Sequence, residues 1–371
     1  MVYYLLTLHF IWWPQWSGVV TTPLMLATGR AFGDYARESS RSPIHDIYWA
    51  EKGEVGGGAH FIYQFPDSVT KLEGIFLIAH ACTHSAYDFW PNQIECPQCI
   101  GLSEEVAVVN VALASGFMVV AVSSSDRKSG CWGGEKDVQL VSSVLNYLSA
   151  THKELASLPI ISYGCSSGGA FAWRYAQHGR ISAVIVQVMS LTIRSNMWAI
   201  THPIPVVFNT MSKDKHTTNA MRANAKDLQN FYDEYFHHQN IKKHASDIIV
   251  VKDCLSIPVT ASYLTNRLFF VNLSYSEAEV IIAVLKIHGF VHNTTNYLVK
   301  DPTKISNDWR SALQNTVMSK VVLEKRSIVL TPGRSPLAKA LHRCWAFHEY
   351  CSDFLIEDIA FIRGYNVSIV L

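Results

Sequence analysis

From residue 59 onward the chain alternates short, mostly unbroken apolar runs with longer segments in which apolar residues return every three or four positions. The runs at 59–65, 74–79, 117–123, 160–164, 183–188, 205–210 and 247–251 have the length of strands and little polar alternation. That is the pattern of strands covered by helices on both sides. Helical spacing falls between them at 103–115, 136–150, 168–177 and 218–236. The alternation predicts an α/β domain on a mostly parallel, doubly wound sheet. After about residue 260 the strand rhythm stops, and helices are expected at 276–288, 307–318, 336–347 and 352–362. The first opens on acidic residues, and the last carries Leu355, Ile359 and Ile362 on one face. The expected organisation is a leader and linker over 1–56 and a domain over 57–365, with a helical, lid-like insertion over 260–335 before the C-terminal helix.

The N-terminus departs from this rhythm. Met1 to Trp13 is almost wholly apolar and closes on Pro14. This length suits a signal-peptide core or a membrane-surface anchor, and equally a buried N-terminal segment. No Lys or Arg precedes it, and Ala27, Thr28 and Gly29 form a weak small-residue cleavage region. Residues 18–56 show no sustained period beyond a short strand candidate at 46–50. Sequons at Asn272, Asn293 and Asn366 are compatible with secretion. The chain is expected to be secreted or membrane-associated if residues 1–29 are a signal or anchor, and cytoplasmic otherwise.

Composition narrows the classes. With 49% hydrophobic residues in 371, the chain can bury a large core, which excludes disorder. Lys plus Arg number 31 against 30 for Asp plus Glu, so the basic excess that a phosphate backbone requires is missing and nucleic acid is not an expected partner. Eight cysteines are too few for a disulfide scaffold at this length. Cys96-Pro-Gln-Cys99 reads as a loop staple or two ordinary thiols rather than half of a metal site, since no second C-x-x-C accompanies it.

The strongest local signal is Gly164-Cys165-Ser166-Ser167-Gly168-Gly169, a G-x-S-x-G between an apolar strand and a helix. A serine on a strained strand-to-helix turn leaves no room for side chains two residues either side, and its hydroxyl stands above the sheet beside the first N–H groups of the helix. The bland alternative is an ordinary Ser/Gly turn.

With this motif in that context, and with the order of elements over roughly 55–365, the chain resembles the α/β-hydrolase superfamily, nearest to carboxylesterase-like and dienelactone-hydrolase-like serine hydrolases. The resemblance implies Ser166 as nucleophile and the Ser167 N–H as one oxyanion donor. The second donor would be the backbone N–H of Ala81 or Cys82, after the strand at 74–79, although Ala81 stands where family members often have glycine. Dienelactone hydrolases carry cysteine at the nucleophile position. Here cysteine lies one residue earlier, and Cys165 reads as a small packing residue. His80 and His84 form an H-x-x-x-H, but at a strand end this spacing does not converge on zinc. No metal or cofactor is expected.

The resemblance places the acid after the strand at 205–210, which points to Asp214, with Asp126 in reserve. Its structural alternative is a helix N-cap. The base comes last in chain order, from His288, His292, His342 and His348. His348, just before the C-terminal helix, is preferred, with His292 second. Tyr87, Phe89, Trp90 and Trp132 follow strand ends where such sheets bind ligands. With no phosphate-binding loop, the expected substrate is a small, neutral, apolar ester cleaved through an acyl-enzyme. A hydrolase-fold binding protein or receptor, an acyltransferase and a peptidase are the alternatives.

Overall fold

In a computed structural model, the structure describes residues 48–49, 59–67, 71–94, 96–178, 180–192 and 202–369. The apolar segment at 1–13 and the side chain of Asn366 lie outside the described residues.

Among the described residues eight strands form one sheet: β1 (Tyr48–Trp49), β2 (Phe61–Gln64), β3 (Gly74–Ala79), β4 (Phe117–Val122), β5 (Ile160–Cys165), β6 (Ile181–Gln187), β7 (Val206–Met211) and β8 (Ile249–Cys254). Their order is β1-β2-β4-β3-β5-β6-β7-β8. β2 is antiparallel to both β1 and β4, and the pairs from β4 to β8 are parallel. This is the expected α/β-hydrolase layout. In β3, Ile75, Leu77 and Ala79 face one core while Phe76 and Ile78 face the other. Both faces are buried, which is why the strands read as unbroken apolar runs.

Helices cover each face. α1 (Ser103–Ala114) and, later in the chain, α10 (Leu355–Ile369) pack on one side through Val108, Ala112, Leu355, Ile359 and Ile362. α2 (Glu135–Thr151), α3 (Ser167–Tyr175) and α4 (Lys215–His238) pack on the other through Val141, Phe171, Met221 and Leu228.

Between β8 and α10 lie α5 (Ala261–Arg267), α6 (Tyr275–Ile287), α7 (Ser306–Asn315), α8 (Val317–Lys325) and α9 (Pro336–Trp345). They share a separate core around Leu264, Leu285, Trp309, Leu313 and Leu341. The single helix expected over 307–318 is two helices. The break is at Thr316 (φ −88°, ψ 119°), where the buried Ser319 hydroxyl donates to the carbonyls of Leu313 (2.7 Å) and Thr316 (3.0 Å). Such side-chain bonds compete with the helical ladder. Among the described residues no helix is long and apolar enough to cross a membrane.

Candidate active site

Ser166 stands between β5 and α3 with φ 53° and ψ −125°, a backbone state that non-glycine residues rarely hold. Its neighbours explain how it is kept there. A Cβ on Gly164 would lie 2.1 Å from the Gly168 carbonyl oxygen, and one on Gly168 would lie 2.1 Å from that of Ala79. The motif glycines are therefore steric necessities of a turn pressed against the end of β3. The Ser166 N–H donates to the Gln187 carbonyl (2.9 Å), which fastens the turn to β6.

Three side chains from distant parts of the sequence meet at this turn. Ser166 Oγ lies 3.0 Å from His348 Nε2, and His348 Nδ1 lies 2.8 Å from Asp214 Oδ2. With Nδ1–H donating to the carboxylate, Nε2 is left to accept the serine proton. Asp214 also caps α4, accepting from the Thr217 N–H at 3.2 Å. Burial alone would raise its pKa, but the bonds from His348 and Thr217 outweigh burial and hold the carboxyl below its ordinary value. The Asp214 side chain is 8% exposed and that of His348 40%, so the imidazole faces solvent while the carboxylate is covered.

The other candidates stand apart from this arrangement. Asp126 is exposed and accepts from Ser129 and Lys128 in its own loop. His292 Nδ1 accepts from Thr294 and Thr295 in a turn, His288 caps α6, and His342 faces Glu349. Phe89 and Trp90, expected on the rim, are buried at 0% and 1%, and Trp90 Nε1 donates to Gln64. Trp132 is half-buried beside the turn: its ring stacks on Phe171, its Nε1–H donates to the His80 carbonyl, and its backbone N–H meets Ser167 Oγ.

Of the two expected loop donors, Ala81 is corrected. Its N–H donates to the Tyr350 hydroxyl (2.8 Å) and is unavailable to a ligand. The Cys82 and Ser167 N–H groups carry no hydrogen bond to another described residue. Behind the loop, buried His80 accepts from the Ser124 N–H at Nε2 (2.9 Å) and donates from Nδ1 to the Ala81 carbonyl (2.8 Å). Burial holds its pKa down at about 4. His80 and His84 thus have separate partners, and among the described residues no three His, Cys, Asp or Glu side chains are grouped to hold a metal.

Disulfides tie loops together around the site, and the sequence pointed only to the local one, as one of two readings of Cys96 and Cys99. Cys96 pairs with Cys99, Cys82 with Cys131, and Cys254 with Cys351. The second ties the loop after β3 to the loop bearing Trp132, and the third ties the end of β8 to the loop bearing His348. Eight cysteines allow too many connectivities for sequence to choose among them. Gln187 was also missed: its side chain bonds both the N–H (3.0 Å) and the carbonyl (2.8 Å) of Cys351, so β6 holds the serine turn and the histidine loop together. Cys165 is a buried free thiol whose pKa burial pushes well up, so it stays protonated.

Neither a family model nor a curated protein matches the chain. Among solved structures, a dienelactone hydrolase from Anabaena variabilis is 13% identical over 57% of this chain and 87% of its own, with a TM-score of 0.38. An esterase from Pyrococcus furiosus is 15% identical over 59% and 84%, with a TM-score of 0.36. A lipase in its open form is 16% identical over 39% of this chain, with a TM-score of 0.27, and the match spans only 44% of the lipase. Likeness at this level does not speak to the reaction, and the fold rests on strand order and on the serine turn. By that topology, the chain has the α/β-hydrolase fold.

Proposed function

We propose that the chain is a serine hydrolase that cleaves carboxylic esters. Ser166 Oγ attacks the carbonyl carbon while its proton passes to His348 Nε2, and Asp214 holds the imidazole in the required tautomer and stabilises the imidazolium. The carbonyl oxygen takes the negative charge, facing the Ser167 and Cys82 N–H groups. His348 then protonates the departing alcohol, leaving an acyl-serine. Water, deprotonated by His348, attacks that ester, and collapse returns the proton to Ser166 and releases the acid. No step requires a metal or cofactor.

The observation that carries this reading is the unbroken line from Ser166 Oγ to His348 Nε2 at 3.0 Å and from Nδ1 to Asp214 at 2.8 Å. The oxyanion site is supported by the close packing of Gly168 on the Ala79 and His80 carbonyls, which brings the loop after β3 against the turn. A small, neutral ester is the expected substrate class. Burst kinetics with p-nitrophenyl acetate and butyrate test the proposal. A stoichiometric burst that Ser166→Ala and His348→Ala both abolish is the expected result, and a folded protein without burst or turnover overturns it.

A further inference from the structure

The loop that presents His348 is unusual in its backbone. Ala346 and His348 have φ of 61° and 44°, both in the left-handed region. Non-glycine residues persist there only where their surroundings fix them. On one side Lys213 N–H donates to the Ala346 carbonyl (3.1 Å). On the other stands Glu349, whose own N–H meets Met211 Sδ (3.3 Å) and whose Oε1 accepts from the Tyr350 N–H (3.0 Å).

The Glu349 carboxylate is 5% exposed and faces Lys339 of α9, with Nζ 2.9 Å from Oε2 and 3.2 Å from Oε1. The same ammonium lies 3.1 Å from His84 Nε2, and His342 Nδ1 lies 3.3 Å from Glu349 Oε2. Beyond His84 Nδ1 are Asp88 at 2.9 Å and the fully buried Glu105 at 3.2 Å, both at ion-pair distance without hydrogen-bond alignment. Two influences conflict at His84. Burial and Lys339 lower its pKa, Asp88 and Glu105 carry it up to about 9, yet Nε2 can bond Lys339 only when unprotonated. The direct contact governs, so Nε2 accepts from Lys339 while Nδ1 stands within ion-pair distance of Asp88 and Glu105.

Further bonds join the insertion helices to the same loop. Glu104 of α1 accepts from the Ser352 N–H (3.1 Å) and hydroxyl (2.8 Å) and pairs with Arg267 of α5 (2.8 Å). Asp353 pairs with Arg267 and with Arg343 of α9. A hinged cover would have to break these pairs at each opening, and breaking the buried Arg267–Glu104 pair leaves an uncompensated buried charge.

We infer that the helices between β8 and α10 are a fixed brace for the His348 loop and that Lys339 of α9 is a positioning residue, holding Glu349 so that His348 stays aligned between Ser166 and Asp214. The inference rests on the proposed triad, but its first readout does not need turnover. In protein labelled with ¹³Cε1-histidine, the downfield Nδ1–H proton of His348 bonded to Asp214, assigned by its loss in His348→Gln, reports the alignment directly. Lys339→Met and Glu349→Gln should each broaden or abolish that proton. They should also slow fluorophosphonate labelling of Ser166 and lower kcat about 10- to 100-fold with KM little changed, as loss of alignment does. The double variant Lys339→Met/Glu349→Gln removes both charges together and should recover the proton and most of the rate.

Single variants that are folded by circular dichroism and keep the proton and the labelling rate overturn the inference, as does a folded double variant no better than either single one. If Lys339→Met fails to fold, the isosteric Glu349→Gln decides alone. If the unaltered chain shows the proton but neither labels nor turns over, the ester-hydrolase reading fails while the brace is still judged by the spectrum.

Discussion

Asp214 performs two tasks in one side chain, and they can be separated. Oδ2 accepts from His348 Nδ1 (2.8 Å), and Oδ1 accepts from the Thr217 N–H at the start of α4 (3.2 Å). Asparagine keeps an oxygen for the cap but loses the negative charge, and its amide favours the wrong imidazole tautomer. Asp214→Asn should therefore lower kcat/KM about a thousandfold to ten-thousandfold, as loss of the charge does in other triads. That loss is about 4 to 5.5 kcal/mol of transition-state stabilisation. Stability should barely change, because substitution among good capping residues preserves the bond. Asp214→Ala removes the cap as well and should cost about 1 kcal/mol of folding stability. In a chain of this size that lowers Tm by about 2 °C. Steady-state hydrolysis of p-nitrophenyl butyrate beside thermal unfolding reads both quantities. An Asp214→Asn protein within tenfold of the parent activity would reduce Asp214 to a helix cap and refute its role as the orienting acid.

Three further outcomes are expected. Gly164→Ala, whose Cβ would lie 2.1 Å from a backbone oxygen, should force β5 and α3 apart, costing about 1–3 kcal/mol or more and abolishing Ser166 labelling; a fully labelled, equally stable variant would contradict the steric account. The Cys82–Cys131 and Cys254–Cys351 bridges close 49 and 97 residues, so reduction should lower stability by up to about 4 and 5 kcal/mol respectively on the chain-entropy account. Urea midpoints with and without dithiothreitol check this, and unchanged midpoints after verified reduction refute it. Buried His80 is neutral in the fold, with its pKa lowered from 6.5 to about 4; its contribution is complete above 6.5 and is lost as pH falls toward 4, about 3 kcal/mol in all. Urea unfolding across that window should show the slope in the parent and a flatter one in His80→Asn, and equal slopes in both would exclude His80 as its source.

Much of the fold was legible because its physics is local. β3 and β5 are buried on both faces and so show as unbroken apolar runs, and a serine held at φ 53° needs its flanking glycines wherever it occurs. Asp214 and His348 were reached only through the resemblance, since nothing in their spacing brings together residues 134 positions apart. What stayed hidden depends on three-dimensional proximity. Gln187 is an ordinary strand residue until β6 lies beside the histidine loop, and the partners of Cys82 and Cys254 are chosen by the folded loops. Phe89 and Trp90 follow a strand end but turn inward because Gln64 supplies the indole's acceptor inside the core. The first insertion helix, seven residues long, was too short to show a period, and its stop and start signals are a single Thr260 cap.

The most direct test of the central claim is intact-mass analysis after treatment with a fluorophosphonate. The account predicts one phosphonyl adduct per chain, mapped to Ser166, absent in Ser166→Ala and strongly slowed in His348→Ala. A folded chain that remains unmodified, or one labelled at another residue with Ser166 untouched, would contradict it.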